Sequence, residues 1–158
     1  MTTITLERHF PAPPEKVFAF VSKTEHLLEW WGPEGMHTPE HDLAFDKIGA
    51  WWSVMVNGEG QRYKVSGQVT HVDAPNSVGF TWAWHDESDA RGVESHVTIR
   101  LVPAQNGGTD MTLSHADLPD GGAAESHTMG WTSALRKLDA MLQDYTAATA
   151  KPEIFHEL

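Results

Sequence analysis

The chain has 158 residues, enough for one well-packed domain and short for two. Its 11 lysines and arginines face 22 acidic residues, and the net charge of -11, without a basic patch, argues against sustained binding to nucleic acid or an anionic membrane. The absence of cysteine excludes disulfides, thiolate metal sites and cysteine nucleophiles; with no signal core in MTTITLERHF and no run near the roughly 20 apolar residues of a membrane span, the expectation is a cytoplasmic protein.

Residues 3–10, TITLERHF, alternate as a strand marked by Ile4, Leu6 and His9-Phe10. Pro11, Pro13 and Pro14 break any ladder, and Glu15 to Ser22 reads as a short helix with Val17, Phe18, Phe20 and Val21 on its apolar side. Thr24 is placed to cap a second short helix, Glu25 to Trp31, ended by Gly32-Pro33.

From Thr38 the pattern is that of an antiparallel sheet. His41 to Phe45 and Ala50 to Val56 read as strands, and Asn57-Gly58 is a hairpin turn signal. Arg62 to Val72 returns, and Ser77 to His85 runs out with Val78, Phe80, Trp82 and Trp84 on one face. Asp86 to Gly92 is a polar loop. Glu94 to Val102 and Asp110 to Ala116 complete the series, and the short turns favour a meander over parallel crossovers.

Asp120 to Tyr145 is the one long stretch with helical periodicity. Trp131, Leu135, Leu138, Leu142 and Tyr145 share a stripe, and Lys151-Pro152 lies beyond the expected end. The class is therefore α+β, with one domain over residues 1–146 and a C-terminal tail over 147–158, in which Ile154 and Phe155 are candidates for an extra packed turn. Seven tryptophans, Trp30, Trp31, Trp51, Trp52, Trp82, Trp84 and Trp131, suit either a filled core or the wall of a cavity.

Three stretches carry a family likeness: RHFPAPPEKVFAFVSKTEHLLEWWGPEG (Arg8 to Gly35), IGAWWSVMV (Ile48 to Val56) and SHTMGWTSALRKLDAML (Ser126 to Leu142). With THVDAPNSVGF and VGFTWAWHD between them, the chain resembles the branch of the START and birch-pollen-allergen (SRPBCC) superfamily named after the activator of the heat-shock protein 90 ATPase. Ala50 stands where that branch usually has a second glycine. The resemblance implies a helix-grip fold, a curved antiparallel sheet of about seven strands around a long C-terminal helix, enclosing an apolar cavity in many members. It implies no single chemistry.

Strand parity and the helical stripe aim Met55, Phe80, Trp82, Trp84, Met111, Leu113, His115 and Trp131 between sheet and helix, and with His127 they are the expected pocket wall. Side chains that merely fill that space would show the same periodicity. Gly130, before Trp131, would let the helix approach a neighbour closely, although an ordinary contact is an equal expectation. His96, His115 and His127 are expected to converge at one end, yet a histidine in such a place is more often structural than a general base, so no catalytic residue is assigned.

His37 and His41 lie in a proline-broken extended segment without a supporting ligand set, and no metal or other cofactor is expected. Ser114, His115 and Asp117 are sequence neighbours that a strand turns to opposite faces, so they suggest no hydrolase. Asp86-Glu87-Ser88-Asp89 reads as a solvated run, and Arg8 as half of a surface ion pair.

The leading expectation is a binding module that holds a small hydrophobic, aromatic or lipid-like molecule without covalent chemistry, with a homodimer open. A second is a chaperone partnership, stimulating the heat-shock protein 90 ATPase; a chain of 158 residues leaves no room for the extra N-terminal domain of the eukaryotic activator. A third is a cyclase, aromatase or hydrolase using the same pocket.

Overall fold

The computed structural model describes the backbone of residues 1–156 and the side-chain surroundings of residues 1–149. Strand β1 (Thr2–Phe10) leads into helices α1 (Pro14–Ser22) and α2 (Thr24–Trp30). Six strands follow, β2 (His37–Asp42), β3 (Gly49–Val56), β4 (Arg62–Asp73), β5 (Ser77–Trp84), β6 (Ser95–Pro103) and β7 (Thr109–Leu118), and then the long α3 (Ala123–His156). All seven strands form one antiparallel sheet in the order β1-β7-β6-β5-β4-β3-β2. This is the α+β helix-grip arrangement, with α3 laid on the curved sheet.

Period-two alternation decides which side chains meet that helix. Val97, Ile99 and Leu101 of β6 and Met111 and Leu113 of β7 are buried beneath it, together with Val65 and Val69 of β4. From α3, Trp131, Leu135, Leu138 and Leu142 are buried on the same stripe. Tyr145, one turn further, is half-buried and meets Phe20 of α1 edge-on. At the sheet centre, β5 is covered on both faces because its outward residues, Ser77, Gly79, Thr81 and Ala83, are small. The His71 ring lies over Gly79.

Gly67 on β4 is a position only glycine fits. A Cβ there would collide with the carbonyl of Thr81, which turns inward to accept the indole N–H of Trp51 at 3.1 Å. The β4–β5 register shifts just beyond, between Val69 and His71.

The second strand lies earlier than the sequence suggests, at His37–Asp42 rather than His41 to Phe45. Pro39, which lacks an N–H, is tolerated because β2 is an edge strand. Leu43 and Phe45 leave the sheet and drop into the core. The Phe45 amide donates to the carbonyl of Ser22 at 2.8 Å, and its ring stacks on Phe80 with centroids 4.1 Å apart.

Thr24 does not cap α2; its hydroxyl donates instead to the carbonyl of Leu43 at 2.6 Å, tying the helix start to this descending segment. Asn57-Gly58 is not a two-residue turn. Residues 57–61 form a longer loop, closed by the Asn57 side-chain oxygen accepting the amides of Glu59 and Gln61.

Helix α3 runs to His156, past Tyr145 and through Lys151-Pro152, which the sequence places beyond its end. Ala147 and Ala148 are strong helix formers, and Thr146 and Thr149 return their hydroxyls to the carbonyls of Leu142 and Tyr145. The expected packing of Ile154 and Phe155 lies outside the described side chains.

Candidate functional site

Most of the space between sheet and helix is occupied by rings. Trp31 sits at the hub, with the centroids of Phe45, Trp51, Trp82 and Trp131 all 5.6 to 6.1 Å away. At one end of this cluster the packing opens into a pocket of about 260 Å³. The first turns of α3 supply Ser126, His127, Gly130, Trp131 and Ala134; the segment after α2 supplies Trp31, Gly32 and Pro33; the ends of β3 and β5 supply Met55, Trp82 and Trp84.

The segment after α2 is held over this space by glycine and by charge. Gly32 has φ +80, which strains any other residue, and a Cβ on it would come within 2.8 Å of the Met55 sulfur and push that side chain aside. Glu34 then docks the segment onto α3. Its amide donates to the Ser133 hydroxyl oxygen at 2.7 Å, while its carboxylate lies 3.3 Å from the Arg136 guanidinium. Gly130 faces only Pro33 at 3.8 Å, an ordinary contact, so close helix approach does not account for it.

Of the residues expected in the wall, Met55, Trp82, Trp84, His127 and Trp131 line the pocket. Phe80, Met111, Leu113 and His115 do not; they are fully buried in the core. Alternation correctly assigns their face but carries no information about distance along the strand, and the opening is confined to one end. The residues missed are those without periodicity, Trp31 to Pro33 above all; the Gly32-Pro33 break after a paired tryptophan was the available signal.

His115 is enclosed in a chain of hydrogen bonds that fixes its protons. The Trp131 indole N–H donates to Nδ1 at 3.0 Å, so the ring's proton sits on Nε2 and is donated to Ser95 Oγ at 2.7 Å. Ser95 passes its own proton to the Trp82 carbonyl at 3.3 Å. Every polar atom in this chain has a partner. Burial, then repulsion from His127 and His96, pushes the His115 pKa down to about 3. A neutral imidazole with both nitrogens engaged and no solvent contact is a structural relay.

His127 stands 4.5 Å from His115, ring to ring, and burial lowers its pKa as well. Its Nε2 accepts the Trp84 indole N–H at 3.3 Å, which leaves Nδ1 as the protonated donor. His96 does not join them. It turns to the outer face, where Nδ1 is 2.8 Å from Asp117. Arg8 donates to the Glu7 carbonyl and, among the described residues, enters no ion pair. The described residues contain no cluster of three or more metal-ligand types, and no described helix is long and apolar enough to cross a membrane.

One buried polar atom of a pocket-lining residue is unpaired. Among the described residues, Trp82 Nε1 is the buried side-chain nitrogen or oxygen without a hydrogen-bond partner, on a ring only 6% exposed. A buried unsatisfied donor costs about 1–3 kcal/mol. The pocket lining is mainly aromatic and aliphatic, with Ser126 and His127 among its polar side chains, a surface suited to a small flat molecule.

The family model for "Activator of Hsp90 ATPase homolog 1-like protein" matches residues 11–143. No curated protein matches the chain. Among solved structures, the AHSA1 protein of Silicibacter pomeroyi is 56% identical with a TM-score of 0.86, over 90% of this chain and 98% of that one. A Chromobacterium violaceum protein, 24% identical, has a TM-score of 0.78 over 90% and 98% of the two chains. A Rhodobacter sphaeroides protein, also 24% identical, has a TM-score of 0.75 over 91% and 93%, and these last two speak for the fold alone. With the family model covering most of its length, and with the helix-grip architecture in place, this chain belongs to the family of activator of Hsp90 ATPase homolog 1-like proteins.

Proposed function

We propose that the protein binds a small aromatic or apolar molecule carrying a hydrogen-bond acceptor, held without covalent chemistry in the pocket between α3, the segment after α2 and the ends of β3 and β5. The observation that carries this reading is the unpaired, buried Nε1 of Trp82, a residue whose ring lines the pocket. A ligand carbonyl or carboxylate accepting that N–H would recover the hydrogen bond the folded chain leaves unmade. At about 260 Å³ the pocket lies below the usual range of about 300–1,000 Å³ for ligand sites, which favours a ring-sized molecule over a long lipid. The closed His115 chain supports binding rather than proton transfer, because it offers the pocket no free base. A chaperone partnership rests on the family description alone and takes second place.

The test is native mass spectrometry of the protein as purified, with extraction of whatever travels with it, repeated on Gly130→Leu. A near-stoichiometric small aromatic molecule, lost in the variant while the fold is kept, is the expected result. A ligand retained equally by both proteins would overturn the assignment of the pocket.

A further inference from the structure

The outer face of the sheet carries a second serine–histidine pair, and its protons run the opposite way. Ser66 of β4 and His85, just past β5, both point away from α3, and Ser66 Oγ lies 2.6 Å from His85 Nε2. That distance nearly matches the Ser95–His115 pair at 2.7 Å. The difference is at Nδ1. In the interior pair Nδ1 receives a proton from Trp131; on the outer face it faces an acceptor, Asp89 Oδ1, at 2.9 Å. An acceptor there places the proton of neutral His85 on Nδ1 and leaves Nε2 as a lone pair aimed at the serine hydroxyl. The interior histidine cannot take a proton from its serine, and the outer one is set to do so.

We propose that Ser66, His85 and Asp89 form a nucleophilic site that reacts with activated carboxylic esters. It is separate from the pocket under α3 and does not depend on it.

The loop between β5 and β6 builds the arrangement. Asp86 accepts the amides of Ser88 and Ala90 on its side chain, closing a tight turn. Asp89 at its tip adopts φ 64, and the chain returns so that Arg91 bridges His85 across an isolated antiparallel pair. This turn is what carries the carboxylate back to His85. Lys64 fixes its other side, with Nζ 3.1 Å from the same Oδ1, and the hydrogen bond from Lys64 followed by that from His85 keeps Asp89 below the ordinary carboxylate range.

Arg91 completes the site, its Nε donating to Ser66 Oγ at 3.0 Å and its Nη2 to the Ser66 carbonyl at 3.1 Å. Its Nη1 pairs with Glu94 Oε2 at 3.1 Å, so Arg91, anchored by that carboxylate, fixes the position of the Ser66 hydroxyl. A surface hollow of about 320 Å³ lies against Ser66 and His85, lined also by Trp52, Lys64, Gln68 and Arg91.

The chemistry balances within these residues and the ester. Ser66 Oγ bonds to the acyl carbon as its proton passes to His85 Nε2, and the carbonyl electron pair moves onto the ester's carbonyl oxygen. Collapse expels the alcohol oxygen, which takes the proton from His85, leaving acyl-Ser66 for hydrolysis by water. Asp89 is a positioning residue, holding the tautomer that makes Nε2 basic.

Diisopropyl fluorophosphate is the direct probe, since the same attack on phosphorus with loss of fluoride leaves a stable adduct. Intact-mass time courses and peptide mapping are expected to find one adduct, at Ser66 and not at Ser95, with none in Ser66→Ala. His85→Gln should slow labelling on the order of 100-fold. Asp89→Asn should slow it as well, with Asp89→Glu restoring part of the rate, a rescue that a merely structural loop residue would not show. No adduct under excess reagent, an adduct mapped elsewhere, or an unchanged rate in both His85→Gln and Asp89→Asn would overturn the proposal. All these side chains lie outside the core, and thermal melts of each variant keep a folding defect separate from a chemical one.

Discussion

The indole N–H of Trp131 lies 3.0 Å from Nδ1 of His115, and this single contact determines which nitrogen of the histidine bears the proton. It joins α3 to the sheet by a polar bond inside an apolar core. Both partners are almost wholly buried, so the bond has no water to replace it.

Trp131→Phe should therefore cost more than its small change in volume implies. The ring still fills the space, but His115 Nδ1 is stranded, at a cost of about 1–3 kcal/mol. Trp131→Ala adds the lost ring and should cost about 3–5 kcal/mol. Urea unfolding of both variants checks the pair, and a Trp131→Phe variant as stable as the wild type would show that the hydrogen bond contributes little.

Trp82→Phe is expected to behave oppositely. The N–H it removes has no partner among the described residues, so deleting it relieves an unmet donor, and stability should change far less than for Trp131→Phe. Ligand affinity should fall, because the proposed acceptor loses its donor. Calorimetric binding of the co-purified molecule, beside a thermal melt, separates the two effects.

Acid should weaken the fold through His115. Its folded pKa, about 3, lies below the unfolded value of 6.5, so the unfolded state binds the extra proton between these limits. Stability is present in full above pH 6.5 and is lost as pH falls toward 3, at up to about 1.4 kcal/mol per pH unit for one group. His127, shifted the same way by burial, adds to the slope. Urea midpoints between pH 6.5 and 5, above the carboxylate range, should fall steeply in the wild type and less steeply in His115→Gln.

Gly130→Ala should raise stability by up to about 1 kcal/mol, since a helix-interior glycine is a poor helix former and the new Cβ would meet only Pro33 at 3.8 Å. The methyl projects toward the pocket, so weaker ligand binding should accompany the gain. A thermal melt and a binding titration on the same preparation test both halves.

Sequence periodicity was informative wherever one face of an element is buried. It identified α3 from Trp131 through Leu142 and the inward residues of β5 to β7, because burial imposes the repeat that is read. It failed at β2, where Leu43 and Phe45 are apolar for a reason other than pairing: they descend from an edge strand into the core. The pocket was legible only in part, since Trp31, Gly32 and Pro33 belong to a non-repeating segment fixed by Glu34 and its long-range bonds to α3. Ser66, His85 and Asp89 were not legible together. Asp89 looked like a solvated charge, and only the turn built on Asp86 brings it back to the ring.

The pairing of β1 with β7 sets a timetable for the ribosome. Phe10 lies opposite Thr109, so the first strand must stay unpaired while about 100 residues follow it. At about 5–20 residues per second that wait is roughly 5–20 s. The meander from β2 to β6 can grow hairpin by hairpin as it emerges, whereas the N-terminal strand enters only after β7 has been made. The sheet closes late, by its longest-range contact, and a nascent chain cut short before β7 would carry an unpaired strand at its start.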